Sequence, residues 1–335
     1  MHRFQSLQHA DDWQPYRDSV LLRDVDPAAL LRQRPDESWL ALDARGAPAA
    51  RASLWWSEAP ALAGERQGAI GPNGAVDAES AAALLHHLSA RLRARQCTLA
   101  VGPMDGNTWR RYRFVTERGH APPFFLEPEN PAEYPQHFRD AGFQVLASYY
   151  SSVNEDLAVE DGRVGRARER LGAQGITLRS LRPDDFENEL DRLYDLSVVA
   201  FRDNYLYTPI SREEFVAQYR QVKPLLVPGL VCLAEADGET VGYGFCLPDI
   251  SQQQRGEPVD TAIVKTVAVL PGRRQAGLGA WLVADVQQRA RALGFRRAIH
   301  ALMHESNRSR NISRHTAQSM RGYSLFAKRL AREET

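Results

Sequence analysis

Residues 273–280 read RRQAGLGA and stand between an apolar run, IVKTVAVLP (263–271), and an amphipathic stretch, WLVADVQQRARALGF (281–295). The first run is rich in β-branched residues and predicts a strand over about 259–269, halted by Pro271. From Leu278 onward, Leu282, Val286, Ala290 and Leu293 recur at helical spacing, and Gly294 follows as a C-cap. The junction therefore carries two close glycines, Gly277 and Gly279, two arginines and no acid. Glycine permits positive φ and close approach of the backbone to a ligand. At a helix start, unpaired N–H groups and the helix dipole favour an anion. Arg273 and Arg274 add to that field, so the stretch reads as a diphosphate cradle.

Elements around the cradle alternate. GLVCLAEADGETVGYGFCLPD (229–249) reads as a hairpin about the turn ADGET, RRAIHALMH (296–304) as a short strand, and RGYSLFAKRL (321–330) as a last strand. Upstream, ITLRSLRPDD (176–185) leads a strand into a helix that Asp184 or Asp185 caps. The first half echoes this order. SWLALDARGAPAARASLWW (38–56) reads as a hairpin with one of Trp55 and Trp56 facing a core. DAESAAALLHHLSARLRARQ (77–96) reads as a helix, CTLAVGP (97–103) as a strand, and PENPAEYPQHFRDAGFQ (128–144) as a loop, short helix and Gly-Phe exit. The expectation is an α/β (α+β) fold of two related domains, 1–152 and 175–335, joined by a charged, partly helical linker, 153–174.

Bulk properties limit the functions. The chain has 335 residues, with 42 Lys plus Arg against 42 Asp plus Glu, which argues against a dedicated nucleic-acid binder. Three dispersed cysteines with no CxxC pair and no histidine at metal spacing point to buried thiols in a reducing compartment and to no metal. The opening MHRFQSLQHADDWQ lacks a signal-peptide core, and no apolar run approaches the roughly 20 residues of a membrane span. The expectation is a cytoplasmic protein with no membrane or nucleic-acid partner, monomeric or homodimeric.

Three phosphate cradles compete for the loop. A P-loop needs GK[ST] after four spacers, and a dinucleotide fingerprint needs a third glycine where Leu282 stands; neither is present. What remains is R-x-x-G-x-G, from Arg274 through Gly277 to Gly279, after a VAV strand end and a proline. This resembles the acyl-CoA pyrophosphate loop of the GNAT superfamily of N-acyltransferases, over about residues 175–332. The resemblance implies two mixed, mostly antiparallel twisted sheets flanked by helices, and acetyl-CoA as co-substrate. By position it implies that Val267 and Val269 bond the pantetheine arm through their main chain. Arg274 and the amides of Gln275, Ala276, Gly277, Gly279 and Ala280 would hold the diphosphate, and Asn307 would contact the cofactor arm. The first half has no such loop, and Asp77 and Glu79 put negative charge where phosphate would sit, so it reads as a degenerate copy that packs on the second and walls the acceptor site.

The implied reaction is acyl transfer from a thioester to the amine of a small molecule or a protein. Some relatives carry a glutamate base where this chain has Ile263, and many carry a tyrosine acid where it has Arg314. Proton removal then falls to water or to His304, Asp249 or Tyr207, with Tyr323 the best candidate acid. Residues 201–211, FRDNYLYTPIS, occupy a loop that lines the acceptor pocket in the family, so Asn204, Tyr205 and Tyr207 are candidate substrate contacts, with Asp249, although aromatic packing explains the loop equally well. His300 reads as a strand side chain making one hydrogen bond. A non-catalytic acyl-CoA-binding regulatory module is the alternative reading.

Overall fold

In the computed structural model, residues 2–159, 161–272, 274–306 and 317–330 are described. The first half runs β1 (Arg3–Ser6), α1 (Pro27–Arg32), β2 (Glu37–Leu42), β3 (Pro48–Trp55), β4 (Gln67–Ala75), α2 (Ala78–Ala94), β5 (Leu99–Gly102), β6 (Phe114–Glu117), α3 (Tyr134–Asp140) and β7 (Gln144–Asn154). The second runs α4 (Gly162–Ala173), β8 (Thr177–Ser180), α5 (Phe186–Ala200), α6 (Arg212–Val222), β9 (Val231–Ala236) and β10 (Glu239–Pro248). It continues through α7 (Ser251–Gln254), β11 (Thr261–Val269), α8 (Leu278–Ala292), β12 (Arg297–His304) and β13 (Gln318–Arg329). The expected mixed, mostly antiparallel sheet flanked by helices is present.

The halves repeat one plan. Antiparallel strands lead to a strand–helix–parallel strand unit, β4–α2–β5 in the first and β11–α8–β12 in the second. The described strands nevertheless form one sheet, in the order β1-β2-β3-β4-β5-β13-β7-β12-β11-β10-β9-β8, with β6 on β13. The halves exchange their last strands: β7 of the first borders β12, and β13 of the second borders β5. The boundary expected at 152 and 153 thus falls inside β7 and divides the chain without dividing the sheet. Residues 162–173 of the expected linker are helix α4, which buries Val164 and Leu171 in the core against α8.

Alternation along the strands feeds two faces. On one face of the second half, Cys246, Ala262 and Val264 pack with Leu278, Leu282 and Val286 of α8; on the other, Tyr243, Phe245 and Ala268 pack with Leu190 and Leu193 of α5 and Phe215 of α6. Of the two adjacent tryptophans, Trp55 is buried in the core and Trp56 is half-buried. All three cysteines are free and buried. Among the described residues no helix is long and apolar enough to cross a membrane.

Candidate functional site

The parallel pairing of β11 with β12 is short. It runs from Thr261↔Arg297 to Val264↔His300 and stops. Beyond it β11 stays on β10 as far as Val269↔Gly242, so the edge of residues 265–269 that faces β12 has no strand partner among the described residues. Each strand carries an irregularity at this parting. In β11, Val264 faces Cys246 and Thr266 faces Phe245, which leaves Lys265 as the extra residue of a bulge. In β12 the register against β7 shifts between His300 and Met303, and Leu302 adopts φ +58°. The Ser151 hydroxyl satisfies the Leu302 N–H at 3.0 Å. Two bulges back to back hold the strands apart, and Val267 and Val269 lie along the exposed edge.

The parting leads toward the start of α8. Gly277 is its N-cap at φ +86°, a left-handed conformation that costs an L side chain about 1–2 kcal/mol. No side chain caps this terminus, and its first turn, with Gly279 and Ala280, holds no acid. Helix α4 closes one side: Arg170 donates to the Ala276 carbonyl, and a Cβ on Gly277 would stand 3.0 Å from that of Ala167. The exposed Arg274 and the half-buried Gln275 complete the described loop. Asn307 and Arg273 lie outside the described residues. Among those described, no group of histidine, cysteine and acidic side chains is arranged to hold a metal.

The far rim gathers aromatic and basic groups from both halves. His304, at the end of β12, packs edge-on to Tyr149 at 4.9 Å and beside Tyr205 at 5.1 Å. Its Nδ1 accepts the Ser306 N–H at 3.1 Å, which assigns the ring proton of the neutral form to Nε2, a buried atom without a partner among the described residues. Burial, opposed by the charge of Glu305 and reinforced by that of Arg113, holds this imidazole below the ordinary histidine value. Arg113 reaches across from the first half: it donates to the Leu302 carbonyl at 3.2 Å and lies over the rings of Tyr112 and Tyr149.

Other expected site residues are placed differently. Tyr323 is 1% exposed on β13, and β7 stands between it and β12. Its hydroxyl is tied to Glu127 and to Ser151 Oγ, 3.0 Å away, and Glu127 pairs with Arg321. Burial and the neighbouring carboxylate push its phenol well above the usual range, so the geometry gives it a structural place rather than that of a proton donor. Asp249 is buried and accepts the Phe125 N–H at 2.8 Å and the Ser251 N–H at 3.2 Å, which pins the 118–127 loop over the end of β10. Tyr207 donates to the Val198 carbonyl at 3.3 Å, and Asn204 is exposed. His300 is buried and bonded to Gln287 at 2.6 Å; burial brings its pKa down to about 4.

The loop that carries these tyrosines is held by the first half. Trp109 donates to the Thr208 carbonyl at 2.8 Å and packs against Phe201, Tyr207 and Phe215, while Arg110 pairs with Glu214 at 2.8 Å. Sequence reasoning missed Lys265 and Arg113. Lys265 carried a signal, as the lone charge within IVKTVAV; Arg113 carried none.

The parallel pair β11–β12 thus parts beside a helix start that no side chain caps. A model of the acetyltransferase (GNAT) family matches residues 190–320. These residues are a GNAT domain. A bacterial ceramide synthase from Caulobacter vibrioides (strain NA1000 / CB15N) is 26% identical over 165 residues, a match covering 48% of this chain and 42% of the relative. The match therefore spans less than half of that relative's length. Among solved structures, a GCN5-related N-acetyltransferase from Anabaena variabilis ATCC 29413 superposes with a TM-score of 0.56 at 9% identity, covering 98% of this chain and 73% of the other. The GCN5-related glucosamine N-acetyltransferase region of a fungal multi-domain GH3 β-N-acetylglucosaminidase gives 0.54 at 14% identity, covering 98% of this chain and 38% of the other. Both likenesses take in the first half as well as the GNAT domain, and both concern the fold.

Proposed function

We propose that the protein is an acyl-CoA-dependent N-acyltransferase that moves an acyl group, most simply acetyl, from CoA to the amine of a small molecule within a ternary complex. The observation that carries this reading is the open edge of β11 running from the parting to the uncapped start of α8. The amides of Gln275, Ala276, Gly277, Gly279 and Ala280, with Arg274, would hold the diphosphate, and the main chain of Val267 and Val269 the pantetheine arm. In the reaction the amine nitrogen bonds to the thioester carbonyl carbon, the C–S bond breaks, the nitrogen loses a proton and the thiolate gains one. A main-chain N–H near Val267 would face the carbonyl oxygen as negative charge develops there. Ile263 leaves that strand position without a carboxylate, and because the His304 Nδ1 lone pair is taken by the Ser306 N–H, the amine's proton would leave to water at this rim.

Calorimetry with acetyl-CoA tests the binding step, and thiol release over an amine panel tests turnover. The wild type is expected to bind acetyl-CoA, and Gly277→Val to bind at least tenfold more weakly, because valine is strained at this φ and meets Ala167. Absence of uptake by the wild type, or unchanged affinity in the variant, overturns the reading.

A further inference from the structure

Two cations border the parting, and neither has an anionic partner among the described residues. Arg113 is 8% exposed, its Nε finds no acceptor, and its described partners are a carbonyl and two aromatic rings. Lys265 forms no ion pair or hydrogen bond among the described residues. Lys265 is exposed to solvent at the bulge, and desolvation by the surrounding protein together with the charge of Arg113 holds its ammonium below the ordinary lysine value. Proteins normally pair a guanidinium this deeply buried with a carboxylate. The cation–π contacts offset part of its lost hydration and leave the net charge in place. Residues 307–316, which follow β12 in sequence, contain no aspartate or glutamate. The diphosphate of a bound CoA is not the missing partner, since the four steps of strand from Lys265 to Val269 alone span roughly 13 Å, and the loop that would hold the diphosphate begins beyond them.

We propose that the acyl acceptor carries an anionic group, a carboxylate or a phosphate a few bonds from its amine, which Arg113 and Lys265 hold at the parting so that the amine faces the thioester. This inference rests on the acyltransferase reading and narrows its substrate class to amino acids and aminophosphates. Arg113 comes from the first half, so the acceptor subsite is built from both halves. The same negative group could instead arrive on the acyl chain of a dicarboxylic thioester, and the test separates the two sources.

Thiol release from acetyl-CoA is measured with matched acceptors that differ in the anionic group: L-phenylalanine against phenethylamine, L-alanine against ethylamine, and phosphoethanolamine against ethanolamine. In at least one pair the anionic member is expected to show a kcat/KM at least tenfold higher. In Arg113→Gln and Lys265→Met its KM is expected to rise at least tenfold more than that of the neutral member, with kcat less affected. Lys265→Met, at a solvent-reached position, keeps the test valid if Arg113→Gln folds poorly. Equal losses for both members of a pair overturn the proposal, because they mark the cations as acting on the chemistry or on the fold. A preference for succinyl-CoA with a neutral amine, abolished in the same variants, also overturns it by placing the carboxylate on the acyl group. If acetyl-CoA binds but no amine is turned over, the same pairs are titrated into the CoA complex, and equal affinities within every pair overturn it. Failure of acetyl-CoA to bind the wild type is read separately, by calorimetry, and defeats the acyltransferase reading itself.

Discussion

The two halves share a plan and differ at the place where the plan opens. In the first, the start of α2 is closed by its own side chain, since Asp77 accepts the Ser80 N–H at 2.7 Å. In the second, the start of α8 has no cap and a glycine in the left-handed region. The end of β4 is also occupied, because Tyr134 bonds both the N–H and the carbonyl of Ala75, whereas the corresponding edge of β11 has no strand partner among the described residues. Just past β5 the first half buries a carboxylate, Asp105, whereas β12 carries the bulge at Leu302, whose carbonyl accepts from the first half's own Arg113. One framework therefore serves two purposes. Polar groups that meet within the first half have no such partner among the described residues of the second, and the first half supplies side chains to its neighbour's cleft.

Separating the halves breaks the comparison most completely. Between them, β13 and β7 pair from Gln318↔Val153 to Ala327↔Gln144, and β13 carries the buried Tyr323, Leu325 and Phe326. Each such side chain is worth roughly 1.5–3 kcal/mol, so their loss approaches the whole stability of a typical domain, about 5–15 kcal/mol. Residues 1–156 and 157–335, produced alone, are expected to show no cooperative thermal transition, and produced together to purify as one complex. A fragment that melts cooperatively by itself shows that the strand exchange is dispensable.

That exchange was not legible in the sequence, for a physical reason. Alternation marks β7 and β13 as strands, but period two says nothing about which edge each joins. The local signals were legible: Pro271 ending a strand, Gly277 opening a helix, Gly294 closing it at φ +94°. The Asp77 cap was visible as a charge misplaced for phosphate. Tyr323 was misread because its partner, Glu127, lies 196 residues away and nothing local announces a buried ion pair. Arg113 was invisible for the same reason, as its role is set by a carbonyl 189 residues distant.

A smaller change sharpens the contrast at β5. Asp105 is 7% exposed, and burial, only partly offset by Arg111, Arg51 and Arg110, raises its carboxyl from 3.8 to about 6. The folded state thus binds this proton more tightly than the unfolded state. The stability it contributes is complete below about pH 4 and is lost as pH rises through 6. At about 1.4 kcal/mol per pKa unit the loss is of the order of 3 kcal/mol. Asp105→Asn is expected to match the wild type near pH 4 and to exceed it by up to that amount at pH 7, measured by urea unfolding across the range. Parallel profiles show that Asp105 remains ionised through its arginine neighbours.

The smallest effect concerns the helix termini. Asp77→Ala removes the acceptor for the Ser80 N–H and is expected to cost about 1 kcal/mol in urea unfolding. The variant exposes at α2 the terminus that α8 already presents, yet it is expected to leave acetyl-CoA affinity unchanged, because Tyr134 still occupies the adjoining strand end and no glycine opens the approach. An uncapped helix alone is a weak anion site; the proposed acyltransferase role needs in addition the strand edge beside α8, which has no strand partner among the described residues. If Asp77→Ala gains a second equivalent of acetyl-CoA in calorimetry, the carboxylate was the sole barrier, and the first half is a closed copy of the site rather than a scaffold for it.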